Sequence, residues 1–173
     1  MASTLKVNTI AHSGGTNAMT IDSTGRVLLP QLPVACVSIT TSNTQDGTHP
    51  YSTTGADMLF DKITVNRGSV YTASNGRFTA PITGLYRLKY TFLRDDSSAA
   101  NVTYFHVYKN GVAWTEAGGA SYSSAGTTNY SVTTNETLVS MNANEYLTVR
   151  LIGGEIYLDA IGIYHSVIFE LVG

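Results

Sequence analysis

Apolar and polar residues alternate with a period of two over short stretches of this chain, and no window of about eleven residues sets its apolar positions at helical spacing. The clearest stretch is 84–92. There Tyr86, Leu88, Tyr90 and Phe92 share one face and Arg87 and Lys89 point the other way, as in a half-buried strand. Leu147, Val149 and Leu151 repeat the pattern over 146–151. Residues 34–39 form an apolar run that reads as a buried strand, and further strands are predicted over 58–65, 103–108 and 166–172. Asn75-Gly76, between Val70-Tyr71 and Arg77-Phe78, predicts a tight hairpin because both residues tolerate positive φ. Asn110-Gly111 ends the 103–108 strand. Pro81 closes the strand before it, since it cannot donate to a ladder, and Gly84 is expected to let the backbone turn into the next. Residues 40–56, 94–101, 112–129 and 152–161, rich in Gly, Ser, Thr and Asn, are predicted loops.

Residues 1–32 have a different texture. Residues 5–10 alternate, 12–17 read as a turn, and Met19-Thr20-Ile21-Asp22 and Val27-Leu28-Leu29 flank the turn Ser23-Thr24-Gly25. A piece this small cannot bury its own apolar face, so its strands need neighbours from other copies or from a docking partner. Pro30 and Pro33 mark the boundary. The expected organisation is an attachment arm or fibre-shaft segment over 1–32 and one domain over 33–173.

Composition narrows the function. Charged residues make up 13% of the chain, and ten Lys and Arg against twelve Asp and Glu give a net charge of -2. That leaves no basic field for a nucleic-acid backbone. The single Cys36 lies in an apolar run and reads as a small packed hydrophobe. There is no signal-type apolar core at the N-terminus and no apolar stretch near the ~20 residues that span a bilayer. Membrane insertion is not expected, and synthesis in a cytoplasm is. The triplets at Asn101, Asn129 and Asn135 are then idle as glycosylation sites.

Several ordered blocks carry a family resemblance: Phe60-Asp61-Lys62, Asn66-Arg67-Gly68-Ser69-Val70-Tyr71, Gly76-Arg77-Phe78-Thr79-Ala80-Pro81, Gly84-Leu85-Tyr86, Lys109-Asn110-Gly111 and the final run from Ser166 to Val172. With these the chain resembles the globular head of complement C1q, of the C1q and tumour-necrosis-factor jelly-roll superfamily, over about residues 33–173. The resemblance implies an all-β fold: a two-sheet antiparallel jelly-roll sandwich, with 1–32 as a short β arm. It also implies a homotrimer packed through aromatic-rich faces. Eleven tyrosines and five phenylalanines suit such faces, and Tyr86, Tyr90, Tyr104, Tyr108 and Tyr164 are the candidates for the trimer interface. The Gly-X-Y repeat of a collagen stalk is absent. Residues 5–10 and 19–27 instead look like start segments of bacteriophage tail-fibre and virion proteins.

Candidate chemistry is sparse. His12, His49, His106 and His165 have no metal-ligand spacing and no Cys partner, and His106, alternating with Tyr104 and Tyr108, is better read as packed or interfacial. Asp95 and Asp96 sit in a predicted loop where a solvated role is preferred over a cation site. No Gly-x-Ser-x-Gly elbow or phosphate-cradling glycine motif is present. The expectation is no catalytic residue, no metal and no cofactor. Trp114, the only tryptophan, follows the Asn110-Gly111 turn and can stack on a sugar or cover a core edge. With Asp95 and Asp96 it is a candidate receptor contact. The expected function is a trimeric tail-fibre or receptor-binding head of a bacteriophage virion that attaches to host cell-surface polysaccharide, with 1–32 docked on other virion proteins. The alternative is a trimeric capsid decoration (cement) or tail adaptor protein without host contact. A polysaccharide-degrading enzyme would need convergent acids that the sequence does not identify.

Overall fold

A computed structural model describes residues 6–15, 17–29, 32–43, 45–46, 50–95, 102–124 and 130–173. The chain forms two compact units, Met1–Leu32 and Pro33–Gly173. In the first, strands β1 (Thr9–Ala11), β2 (Asn17–Ile21) and β3 (Val27–Leu28) form an antiparallel sheet in that order. Ile10 lies opposite Met19 and Ile21 opposite Val27, so one face is apolar. The β2–β3 turn is held by Asp22, whose carboxylate accepts from the Thr24 and Arg26 amides at 2.9 and 3.0 Å and from Arg26 Nε at 2.7 Å. Hydrogen bonds from Thr24, then Arg26, hold that carboxyl at a pKa of about 2. No described residue of this unit is buried.

The second unit is all-β, with no helix among the described residues. Its strands among the described residues are β4 (Val34–Ser38), β5 (Lys62–Arg67), β6 (Tyr71–Thr72), β7 (Arg77–Thr79), β8 (Gly84–Leu93), β9 (Val102–Lys109), β10 (Val112–Ala113), β11 (Ala120–Ser124), β12 (Val132–Met141), β13 (Tyr146–Gly153) and β14 (Ser166–Leu171). One sheet runs β12-β8-β14-β4-β5. The other runs β10-β9-β13-β7-β6, with β11 also on β9. All pairings are antiparallel. The alternation read from the sequence is the inward face of each strand: Leu88 and Phe92 of β8, Leu147, Val149 and Leu151 of β13, and Val167 and Phe169 of β14 are buried. Rings meet across the two sheets. Phe92 lies 4.6 Å from Phe105 and Phe78 lies 5.8 Å from Phe169, and Phe60, just before β5, lies 6.2 Å from Phe92. Such pairs add about 0.5–1.5 kcal/mol each beyond the area they bury.

Four local expectations are corrected. The Asn75-Gly76 hairpin is not a two-residue turn: Thr72 pairs with Arg77, only Gly76 has positive φ, and Asn75 Oδ1 accepts from the Arg77 amide at 3.2 Å. The 58–65 strand starts only at Lys62, because Met58 and Phe60 are drawn into the core and the Met58 amide bonds to Val149 O. Gly84 does not need an unusual φ; a Cβ there would lie 2.6 Å from Leu171 Cδ1, so close approach is its reason. The predicted loop 112–129 contains β10 and β11, and β12 follows it unpredicted.

Candidate functional site

Strand β9 ends at Lys109, and Asn110 and Gly111 take φ of 52° and 80°. Two adjacent positive φ values make the tight reversal that Asn-Gly favours, so Val112 and Ala113 run back along β9. The Trp114 amide then donates to Val107 O at 2.9 Å, and the indole packs on the core edge. Residues 114–119 loop outward and return when Gly119 O accepts from the Val107 amide at 2.8 Å. Gly119 is required: a Cβ would sit 2.0 Å from Trp114 O. From the facing sheet, Asn135 Nδ2 donates to Gly118 O at 2.7 Å and Thr137 Oγ1 to Ala117 O at 2.9 Å.

This excursion leaves an open groove of about 350 Å³ lined by Lys109, Asn110, Val112, Ala113, Trp114 and Glu145. Lys109 Nζ lies 2.8 Å from Glu145 Oε2, donates to Ser140 O at 2.9 Å and stands 5.7 Å from the centre of the Trp114 ring. Asn110 Nδ2 donates to Glu145 Oε1 at 3.1 Å, and the Asn142 amide to Glu145 Oε2 at 2.7 Å. Bonds from Lys109 and then Asn142 hold the Glu145 carboxyl below its ordinary range. The Trp114 N–H is buried and meets no acceptor among the described residues. Glu145 has no part in the sequence reading, and Lys109 and Asn110 enter it only through a family block and a turn, not as site residues. The Asn-Gly turn was the available signal, because its geometry folds Lys109 and Trp114 onto one side.

A second surface is the outward face of the five-stranded sheet. Leu85, Val132 (60% exposed) and Leu138 (53%) are open to solvent there. Arg87, between them, bonds to Glu170 through Nε at 2.8 Å and lies 3.7 Å from Glu136.

The candidate tyrosines divide three ways. Tyr86 and Tyr90 are corrected: at 0% and 1% exposure they belong to the chain's own core and offer no surface to a neighbour. Tyr86 stacks on Phe169 at 4.9 Å, and Tyr90 OH pairs with Ser121 Oγ at 2.7 Å. Burial pushes both hydroxyl pKa values up. Tyr104 and Tyr108 lie half-buried on the outward face of the other sheet. Arg150 covers the Tyr108 ring at 3.8 Å while bonding Asp57 at 2.6 Å, and Tyr104 lies against Gly153 and edge-on to His106. Tyr164 is exposed beside Tyr157, which in turn meets Tyr130. Asp95, expected as a receptor contact, is also corrected: it is 1% exposed. Asp96 and His49 lie outside the described residues. His165 is buried between Phe92 and the Tyr157 carbonyl, which its Nε2 contacts. Among the described residues no three His, Cys, Asp or Glu side chains gather to hold a metal ion, and no helix is long and apolar enough to cross a membrane.

Two antiparallel sheets in this strand order, closed at one edge by the 114–119 excursion, define a jelly-roll module. Residues 41–166 match the C1q domain model, and the chain belongs to the C1q domain family. No curated protein matches the sequence. Among solved structures the fold is similar to the globular domain of zebrafish complement 1qA (TM-score 0.56, 10% identity, 80% of this chain and 94% of that one). It is also similar to Eiger TNF from S. frugiperda (0.60, 10%, 83% and 94%) and to murine APRIL (0.60, 14%, 82% and 99%).

Proposed function

We propose that this chain is the trimeric, non-enzymatic head of a bacteriophage virion fibre, joined to other virion proteins through residues 1–32 and bound to glycans on the host cell surface. The outward face of the five-stranded sheet carries the reading. It exposes Leu85, Val132 and Leu138 around the Arg87–Glu170 pair, and large apolar side chains left to water around an ion pair suit a docking surface. Packing against two identical copies, the habit of the C1q and tumour-necrosis-factor superfamily, covers it. The first unit supports the attachment role: its apolar face of Ile10, Met19, Ile21 and Val27 has no core of its own to enter. Its likeness to tail-fibre start segments favours a virion over a complement role. Three heads on one stem raise weak sugar affinities by multivalency.

The test joins mass and adsorption. Sedimentation at micromolar concentration is expected to give three copies, and Leu138→Arg is expected to give one copy with unchanged circular dichroism. Purified trimer is expected to block adsorption of the virus to its host. A monomeric native mass overturns the reading. Copies imaged over the capsid instead of at a fibre tip reassign the protein to a cementing role.

A further inference from the structure

We infer that the groove beside Trp114 binds one neutral sugar unit of a surface glycan, with a C–H face of the sugar on the indole. This deepens the attachment reading and rests on it. An anion is disfavoured because the Lys109 ammonium is already matched by Glu145 at 2.8 Å, so a carboxylate or phosphate entering here meets a carboxylate as well as an ammonium. A cation is disfavoured because the Lys109 ammonium, 5.7 Å from the centre of the Trp114 ring, repels a second positive charge there. A wholly apolar molecule would strip water from Lys109, Asn110 and Glu145 and return no hydrogen bonds.

A neutral pyranose meets each demand. Val112, Ala113 and the indole supply an apolar wall. Lys109 uses two of its three N–H donors on Glu145 and Ser140, and Asn110 Nδ2 uses one of its two on Glu145. The remaining donors face hydroxyl groups that can both accept and donate. The groove volume of about 350 Å³ is at the small end of the roughly 300–1,000 Å³ of small-molecule sites. It is open on one side, so a chain of sugars can continue into solvent.

Trp114 is the only tryptophan in the protein, so its emission reports on this groove. The full chain is titrated with neutral oligosaccharides of glucose, galactose, mannose and N-acetylglucosamine, with sialyllactose as the anionic comparison. At least one neutral series is expected to give a saturable shift at millimolar concentration. That shift should change little with added salt, because the groove has no net charge to screen. Val112 is 71% exposed, so Val112→Arg blocks the groove without touching the core and is expected to weaken binding by about tenfold or more with mass and circular dichroism unchanged. Flat emission with all four neutral series, a response to sialyllactose alone, or a response that survives Val112→Arg overturns the inference. A monomeric mass together with a saturable, Val112-dependent shift overturns the trimer reading and sustains the groove.

Discussion

Two glycines in turns show how differently the same residue can be needed. Gly76 has a φ of 66°, and a Cβ there would lie 2.3 Å from Met58 O. Gly111 has a φ of 80° with only Tyr146 OH near its Cβ position, at 3.5 Å. Gly76→Ala is therefore expected to cost more than about 2 kcal/mol and Gly111→Ala about 1 kcal/mol, as read from urea unfolding. His165 gives a pH prediction. The Leu93 amide donates to its Nδ1 at 3.4 Å, so the neutral ring carries its proton on Nε2, toward Tyr157 O. Burial lowers its pKa, against smaller raising effects from the Tyr157 carbonyl and Asp159. The folded pKa thus lies below the unfolded value of about 6.5. Stability is fully present above that value. As pH falls below it, the unfolded chain takes up a proton that the folded chain refuses, and stability declines until the folded pKa is passed. The unfolding free energy of the native protein should drop between about pH 7 and pH 5 by more than that of His165→Gln. Equal slopes would remove His165 as the cause. At this scale the tyrosines were partly legible. The alternation that sets Tyr86 and Tyr90 beside Leu88 and Phe92 already places them inside, whereas a surplus of rings says nothing about which ones lie outside.

Among elements, β12 is the longest that the pattern hid. Its inward positions are Thr133, Asn135, Thr137, Val139 and Met141, so the buried face opens with polar side chains and no hydrophobic alternation appears until Val139. Tertiary bonds explain part of this: Asn135 and Thr137 bind the carbonyls of Gly118 and Ala117. Residues 112–129 read as loop for the related reason that β11 consists of small and polar residues whose pairing partner, β9, is distant in sequence. The two buried threonines should respond in opposite senses. Thr137→Val removes a bond at 2.9 Å and strands a carbonyl, costing about 1–2 kcal/mol. Thr133 Oγ1 is buried with no partner among the described residues, so Thr133→Val should be neutral or stabilising by up to about 1 kcal/mol. Thermal midpoints of the two variants, measured side by side, check both.

For the whole molecule, the jelly roll was legible because β8 and β13 alternate and the apolar run of β14 joins them in one aromatic core. The groove was not, since Lys109 and Glu145 are 36 positions apart in sequence and meet only through the register of β13 on β9. No described residue of the first unit is buried, so a chain of residues 33–173 is expected to unfold at the same denaturant midpoint as the full chain when each is measured as a monomer. A large loss would show that residues 1–32 stabilise the head.

The division of labour along β9 has a further effect. Its free edge is covered by two short partners, β10 and β11, with Trp114 to Gly119 looped out between them and clamped on Val107 from both sides. No long, straight row of amides is left on that flank for another molecule to extend, and so the excursion also guards against the open-ended strand stacking that turns β proteins into fibrils.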